Sequence, residues 1–526
     1  MATNGPVSKE WDIMEYLKIE NIIEINELKD LKKSSCNIYK VPPSLHKENK
    51  DAYTPQSISI GPLHLGKHDH LKPMQEQKLK YYQFFWDRVS DNGDVVIKGH
   101  IDFLAAKEIA IRRSYAEKFT FTSEKFIDML LLDSVFIVEL FMRIKELDQM
   151  KKAELKEENG YDENGRGETT RTKKCEDGPK HLEEDWILKQ TWLIKSVQRD
   201  LVLLENQIPF YILDSLYKSI PRNANNEKMP KSFIDLAHDY FACYDPHERF
   251  KSQTCENNET TSSESPPSDK SKSSKHGTNV STCCGSVMKK SFGSSRFKVQ
   301  EVNPAHFTDL IRYFYLCKDL HMRPSSSSNV LRTATKLQEA GVSFEKVTKR
   351  HLLDIKFQKH PFLTWFLCLG CIPSLNHFKA RFRIPQLKVD HATECVLRNL
   401  IAFEQCHYAD QPYVCNYVSL VDSLIHTKDD VELLVEKEVI VHELGSDKEV
   451  ATLVNGLCKH VVTNSTCYQD IIDGLNSHYQ NVWNRTMAAL RLVYFRDPWR
   501  ASSTLVGIAV LVFTIFNFCR VIRVVF

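Results

Sequence analysis

The chain is short of everything that marks a fibrous, disulfide-stapled or nucleic-acid-coating protein. Only 18 Gly and 20 Pro occur in 526 residues, which excludes collagen-like and Pro-rich scaffolds. There is no excess of charge of one sign: Lys+Arg 70 against Asp+Glu 68 leaves +2, and so no electrostatic footprint for nucleic acid. The 15 Cys are odd in number and irregular in spacing, against a disulfide framework. Cys317, Cys368 and Cys371 lie in apolar runs and read as buried thiols acting as small hydrophobes. The first twenty residues hold no uninterrupted apolar run, so no signal peptide is expected.

What is present is globular: 42% hydrophobic and 26% charged residues, values that exclude a wholly disordered chain. Two stretches lose their apolar periodicity, about 148–185 and about 251–295, the second rich in Ser, Thr and Lys. Neither buries enough apolar area to offset ordering entropy, so both are expected to be flexible insertions from one large unit. The patterned remainder reads as mainly helical. Helical segments are expected over Phe126–Leu147, Trp186–Leu204, His306–Leu320, Cys395–Phe403, Val418–Ile425, Val431–Leu444, Lys448–Val461 and Tyr468–Tyr494. Strand signals are short: Ser57–Ile60, His351–Phe357 and Ile384–Val389, the last demoted to an edge by Pro385. No repeat of fixed period appears.

The end of the chain differs in kind. Ala501 to Cys519 has 19 residues and no charge. As a helix it runs roughly 28 Å, close to the ~30 Å hydrocarbon thickness of a bilayer. Trp499 and Arg500 stand on one flank and Arg520 on the other, where headgroups would lie. The expected partner is therefore a lipid bilayer, with the bulk of the chain on the cytosolic side. Arg485, Arg491, Arg496 and Arg500 precede the apolar run, and Arg520 and Arg523 follow it, in keeping with that orientation. Four glycosylation tripeptides, at Asn258, Asn279, Asn464 and Asn484, are short enough to arise by chance.

Each motif with catalytic spacing also has a plainer reading. Gly61 to His68 (GPLHLGKH) imitates a phosphate-binding loop. It lacks the hydroxyl that would hold magnesium, and Pro62 removes a backbone N–H, so a turn is expected. His64, His68 and His70 are the metal candidates, although a metal site needs a closed set of three or four ligands. Cys368 and Cys371 have redox spacing without the electropositive setting of a reactive thiolate. Asp133 and Glu139 fall on different faces of one helix, and Glu139 with Arg143 at i+4 reads as a surface pair. No catalytic constellation emerges, and no cofactor is expected.

Several segments together resemble a known plant family. They are Ile38–Pro42 (IYKVP), Pro55–His64 (PQSISIGPLH) with Lys78 downstream, Leu130–Phe141 (LLLDSVFIVELF), Asp200–Tyr211 (DLVLLENQIPFY), Ala334–Phe344, Ile384–Thr393 and Asn399–Gln405 (NLIAFEQ). The chain resembles the family called domain of unknown function 247, or uncharacterised protein family 0481, from about Ile38 onward. The resemblance implies a largely helical plant protein ending in one transmembrane helix, with no agreed catalytic residues. Some grass relatives lie at self-incompatibility loci, which implies recognition in part of the family.

The reading is then a helical extension over 1–35, a main unit over 36–500 with a few short strands, a membrane helix over 501–519, and a basic tail over 520–526. Function is expected to be non-catalytic interaction, signalling or recognition through an unknown protein partner. The alternatives are a metal-dependent enzyme using the His64–His70 region and an extracellular recognition protein. Within the main unit, Glu205, Asn206 and Gln207 sit between apolar flanks. They are expected to form a buried hydrogen-bonded hub. In it Asn206 and Gln207 would satisfy carbonyls at a helix end, and Glu205 would take donors from Arg398 or Asn399.

Overall fold

The computed structural model describes residues 36–89, 93–158, 185–221, 229–246, 302–316, 320–324, 331–347, 351–359, 380–494 and 498–525. The proposed N-terminal extension, the centre of the first insertion, the whole of the second, and Cys317, Cys368 and Cys371 lie outside them.

The long helix α4 (Ser123–Glu158) organises the first half. Phe126, Leu130, Val135, Phe136, Ile137, Val138, Leu140 and Phe141 are buried along it, apolar on nearly every side, so it must be surrounded. Around it pack α2 (Lys72–Arg88), α3 (Gly93–Arg113), α6 (Phe210–Ser219) and α7 (Phe233–Phe241). Helices α2 and α4 run in the same direction, since Lys78 meets Asp133, Tyr81 meets Phe136, and Arg88 meets Glu139 and Glu146. Upstream lies the short α1 (Pro43–Glu48), and α5 (Thr191–Asp200) leads into the hub.

The second half packs on the first through α8 (Phe307–Tyr315) and α10 (His391–His407). Helix α10 starts at a capping box, Asp390 taking the Thr393 N–H, and is buried by α11 (Tyr413–Leu424) and α13 (Asp447–Leu457). Helices α9 (Ala334–Glu339), α12 (Lys428–Glu436), α14 (Gln469–Gln480) and α15 (Val482–Tyr494) complete the body. One contiguous core runs from Ile38 to Leu475, so the two halves fold as one unit.

Strands are brief. A three-stranded mixed sheet has order β2 (Val342–Val347), β4 (Ala380–Pro385), β3 (Lys356–Gln358). A parallel pair joins β5 (Leu387–Val389) to β6 (Ile440–His442), and β1 (Arg323–Pro324) meets β7 (Ser465–Thr466).

Several expectations are corrected. The edge strand expected over Ile384–Val389 is split: Leu387–Val389 form β5 in its two-stranded pair, whereas Ile384 and Pro385 end β4, which is central; Pro385 falls at its last position, opposite Val347 and beyond the reach of β3, so its missing N–H breaks no ladder. Helix α4 continues to Glu158, through the first part of the stretch read as an insertion. At the far end of that stretch Asp185 is buried against Arg143 and Tyr81. The segment Tyr468–Tyr494 is broken at Asn481 into two helices. Helix α5 ends at Asp200, well before Pro209. Glu139 and Arg143 are fully buried rather than a surface pair. Arg88 binds Glu139 through Nε and Nη2, while Arg143 turns to Asp185 at 2.9 Å and lies over the Phe84 ring. Asp133 and Glu139 both face α2, each with its own cation.

Beyond the body, α16 (Pro498–Val525) holds a stretch from Ser502 to Arg523 of mean hydropathy 2.3 with none of it buried. At ~1.5 Å per residue its 22 residues span about 33 Å, long enough to cross a membrane.

Candidate functional site

The residues from Pro55 to His64 are almost all buried yet form no ladder with any strand. The expected strand at Ser57–Ile60 is absent. Buried backbone without partners is costly, so each amide must be met some other way. Side chains from three distant places supply the partners.

Asp200, the last residue of α5, is fully buried. Its carboxylate accepts the N–H groups of Gln56 (2.9 Å), Ser57 (2.6 Å) and Ile58 (2.9 Å), and Arg199 donates to it at 2.8 Å. Asn206 takes the Ile60 N–H on Oδ1 at 2.6 Å and donates Nδ2 to the carbonyls of Ile58 (3.0 Å) and Asp200 (2.9 Å). Lys78, on α2, donates to the Ser59 carbonyl at 2.6 Å and to Asp133, and Asp133 accepts the Gly61 N–H at 2.7 Å. Gly61 has φ +70°, and a Cβ there would lie 2.5 Å from the Gln207 carbonyl oxygen. Only glycine fits both that conformation and that approach.

The neighbouring polar residues extend the lacing. Gln207 donates Nε2 to the carbonyl of Leu201, at the end of α5, and to that of Leu203, which also takes the Asn206 N–H, and it accepts the Phe307 N–H that begins α8. Asn399 on α10 accepts the Leu204 N–H at 2.9 Å and donates to Ala52 and Cys395. Further out, Glu404 on α10 takes Arg312 Nε at 2.7 Å and the Cys415 N–H at 2.9 Å, and Arg312 lies over the Tyr408 ring. His306 caps α8: its Nδ1 accepts the Asp309 N–H and its Nε2 meets the Asn37 carbonyl at 2.9 Å. Burial holds His306 down to about 3, against the pull of that carbonyl.

Glu205 does not bind Arg398 or Asn399. Its Oε1 accepts the Val41 N–H at 2.7 Å, and its Oε2 stands 3.4 Å from His64 Nε2, while Arg398 pairs with Glu394 within α10. The expected donors fail because α10 presents Asn399 one residue earlier, to Leu204. Burial pushes the Glu205 carboxyl up, but His64 and the Val41 N–H outweigh it and hold it below the usual carboxylate range.

From Glu205 a row of imidazoles leads outward. His64 is buried, and its ring centroid is 5.5 Å from that of His68, which is 5.5 Å from His70. His70 contacts the Pro55 carbonyl at 3.2 Å. Burial lowers the His68 imidazole, and His64, His70, Lys50 and Lys67 add to the effect. The row meets Glu205 at its buried end, through His64. Among the described residues no group of three or more His, Cys, Asp or Glu is placed to hold a metal ion. The glycine-flanked turn from Gly61 to Gly66 gives its Gly61 N–H to Asp133 rather than leaving it open to a ligand.

Sequence reasoning singled out Glu205, Asn206 and Gln207, with Asn399 as a donor to Glu205, but missed Asp133, Asp200, Glu404 and Arg312 as members of the same system. One signal was available: each sits inside or at the start of an apolar run, where a polar residue must find a partner when buried.

A family model described as a plant protein of unknown function, DUF247, matches residues 38–513. A UPF0481 protein of Arabidopsis thaliana is 25% identical over 500 residues, covering 92% of this chain and 85% of its own length. A putative UPF0481 protein of the same plant is 22% identical, covering 92% of this chain and 89% of its own. No solved structure matches. The motifs that lace the buried segment and the span of the match agree: this chain belongs to the plant family of unknown function DUF247.

Proposed function

We propose that this protein is a single-pass membrane protein whose helical body acts by binding another protein, without catalysis. The observation that carries the reading is the Ser502–Arg523 stretch, apolar and wholly uncovered on an otherwise well-buried fold. In water such a surface is strongly unfavourable, at about 25 cal/mol per Å² of apolar area; in hydrocarbon the penalty vanishes. Apart from His64, whose ring nitrogens make no hydrogen bond among the described residues, the body's buried ionisable groups described above are spent on backbone groups or opposite charges, which supports a structural role for them. Sidedness follows the arginines: Arg485, Arg491, Arg496 and Arg500 on the body side, against Arg520 and Arg523 beyond the helix, favour a cytosolic body.

Sedimentation tests the anchor. After high-speed centrifugation of detergent-free lysate the full chain is expected in the pellet, resistant to alkaline carbonate; recovery in the supernatant would overturn the reading. Protease added to sealed microsomes is expected to digest the body. Of the glycosylation tripeptides, Asn464 is exposed, whereas the Asn484 amide donates to the His478 carbonyl at 3.0 Å. A glycan on Asn464, with a protease-protected body, would instead place recognition outside the cytosol. Metal analysis of the purified protein, repeated with His64→Ala and His68→Ala, separates binding from the enzyme alternative: stoichiometric metal lost in both variants would favour the enzyme.

A further inference from the structure

Helix α15 (Val482–Tyr494) is amphipathic in an inverted sense. A helix on the surface of a soluble body turns its apolar face inward. Here Val482, Trp483, Val493 and Tyr494 are 68%, 59%, 55% and 48% exposed. At about 100° per residue, Val482 and Val493 project within about 20° of each other, and so do Trp483 and Tyr494; together they form one stripe about 120° wide. The body lies on the other side. Asn484 donates to the His478 carbonyl at 3.0 Å, and Ala488 packs against Gly341. Those two positions project roughly 160° from the middle of the stripe.

Three further features decide what covers the stripe. The helix carries Arg485 and Arg491 and no Asp or Glu, so its charge is of one sign. The Arg485 guanidinium lies 5.5 Å over the Tyr479 ring and is exposed. Finally, α15 ends just before α16 begins, and the Thr504 hydroxyl meets the Tyr494 carbonyl at 3.4 Å. The exposed stripe is therefore held next to the point where α16 would enter a bilayer. Aliphatic residues, Trp and Tyr on one face with arginines and no acids form the pattern of a helix lying in the membrane interface.

We propose that α15 lies in the bilayer interface, its Val482–Trp483–Val493–Tyr494 face sunk among acyl chains and Arg485 among anionic phospholipid headgroups. This rests on the membrane reading of α16. Its consequence is a body held flush against the membrane instead of swinging on a tether.

Photo-crosslinking tests it on the full chain, reconstituted in phosphatidylcholine vesicles with and without phosphatidylserine. The photoreactive residue p-benzoyl-phenylalanine is installed singly at Val482, Val493, Phe513 (within α16) or Ile109 (exposed on α3). Lipid adducts are expected at Val482 and Val493, several-fold above Ile109 and comparable with Phe513, and increasing with phosphatidylserine. Adducts at Phe513 but not at Val482 or Val493 would overturn the interfacial helix and leave the anchor standing. Adducts at none of them would remove the anchor and the proposal together. Protein adducts at Val482 and Val493, to another chain or to another part of this one, would also overturn it. A second measurement avoids the unnatural residue. Lipids brominated just below the headgroup should quench the fluorescence difference between the unsubstituted chain and Trp483→Phe; an unquenched difference counts against the proposal.

Discussion

Replacing Asn206 with alanine tests whether side chains really stand in for a neighbouring strand. Asn206 is fully buried and makes three hydrogen bonds to backbone. In Asn206→Ala the Ile60 N–H and the Ile58 carbonyl lose the side-chain partner described for them. The Asp200 carbonyl keeps the Leu203 N–H at 3.3 Å, so its loss is small. Two orphaned buried groups at about 1–3 kcal/mol each give a destabilisation of about 4 kcal/mol. For the 364 described residues at ~2.1 cal/mol/K each, that is a fall in melting midpoint of about 5 °C. The assay is differential scanning fluorimetry of the full chain in detergent, with hydrogen exchange at the Ile60 amide as a local readout, since a chain this long need not unfold in two states. Asn206→Asp sharpens the test. It keeps the acceptor for Ile60 but turns an oxygen toward two carbonyl oxygens. It should be at least as damaging near neutral pH and less so in acid, where the carboxyl protonates. An Asn206→Ala protein that melts within about 1 °C of the parent, with Ile60 still protected, would refute the reasoning.

Two more outcomes follow from the same network. Lys78→Met should destabilise by about 3–5 kcal/mol, because Asp133 keeps only the Gly61 N–H. Burial already pushes the Asp133 carboxyl up, so the loss should shrink as pH falls and the carboxyl takes a proton. Adding Asp133→Asn, which removes the charge but keeps an oxygen for Gly61, should recover much of the midpoint; a double variant no better than Lys78→Met would count against the pairing. His306 predicts a pH slope. Its folded value of about 3 lies below the ~6.5 of an unfolded histidine. Between those values the unfolded chain holds a proton that the native one does not. Stability should therefore fall by about 1.4 kcal/mol per unit as pH drops below about 6.5. His306→Asn keeps an oxygen for the Asp309 N–H and should flatten the dependence of melting on pH; identical profiles for the two proteins would sink the argument.

Much of the fold was legible because periodicity is local. The apolar residues of Phe126–Leu147 repeat at helical spacing whatever they pack against, and α4 covers them all. The uncharged run after Arg500 likewise announces its length and hydropathy without reference to the rest of the chain. Elsewhere local pattern misled. Ser57–Ile60 alternates like a strand, but its amides are met by Asp200 and Asn206, more than 140 positions away. A pattern of period two records which faces are apolar and says nothing of whether a strand lies alongside. Glu139 and Arg143 have the spacing of an exposed helical pair, and only partners brought from elsewhere, Arg88 on α2 for Glu139 and Asp185 for Arg143, make their burial tolerable.

By itself, then, the sequence determined the helical class, the membrane-length apolar helix, and the presence of polar residues too deep in apolar runs to stay unpaired. Each depends on neighbours within a few residues. The tertiary structure alone decided which groups those polar residues serve, that Glu205 faces Val41 and His64 rather than α10, and that the apolar stripe of α15 points away from the body. A hydrogen bond or a buried face needs two surfaces to meet, and their meeting depends on how every other helix packs.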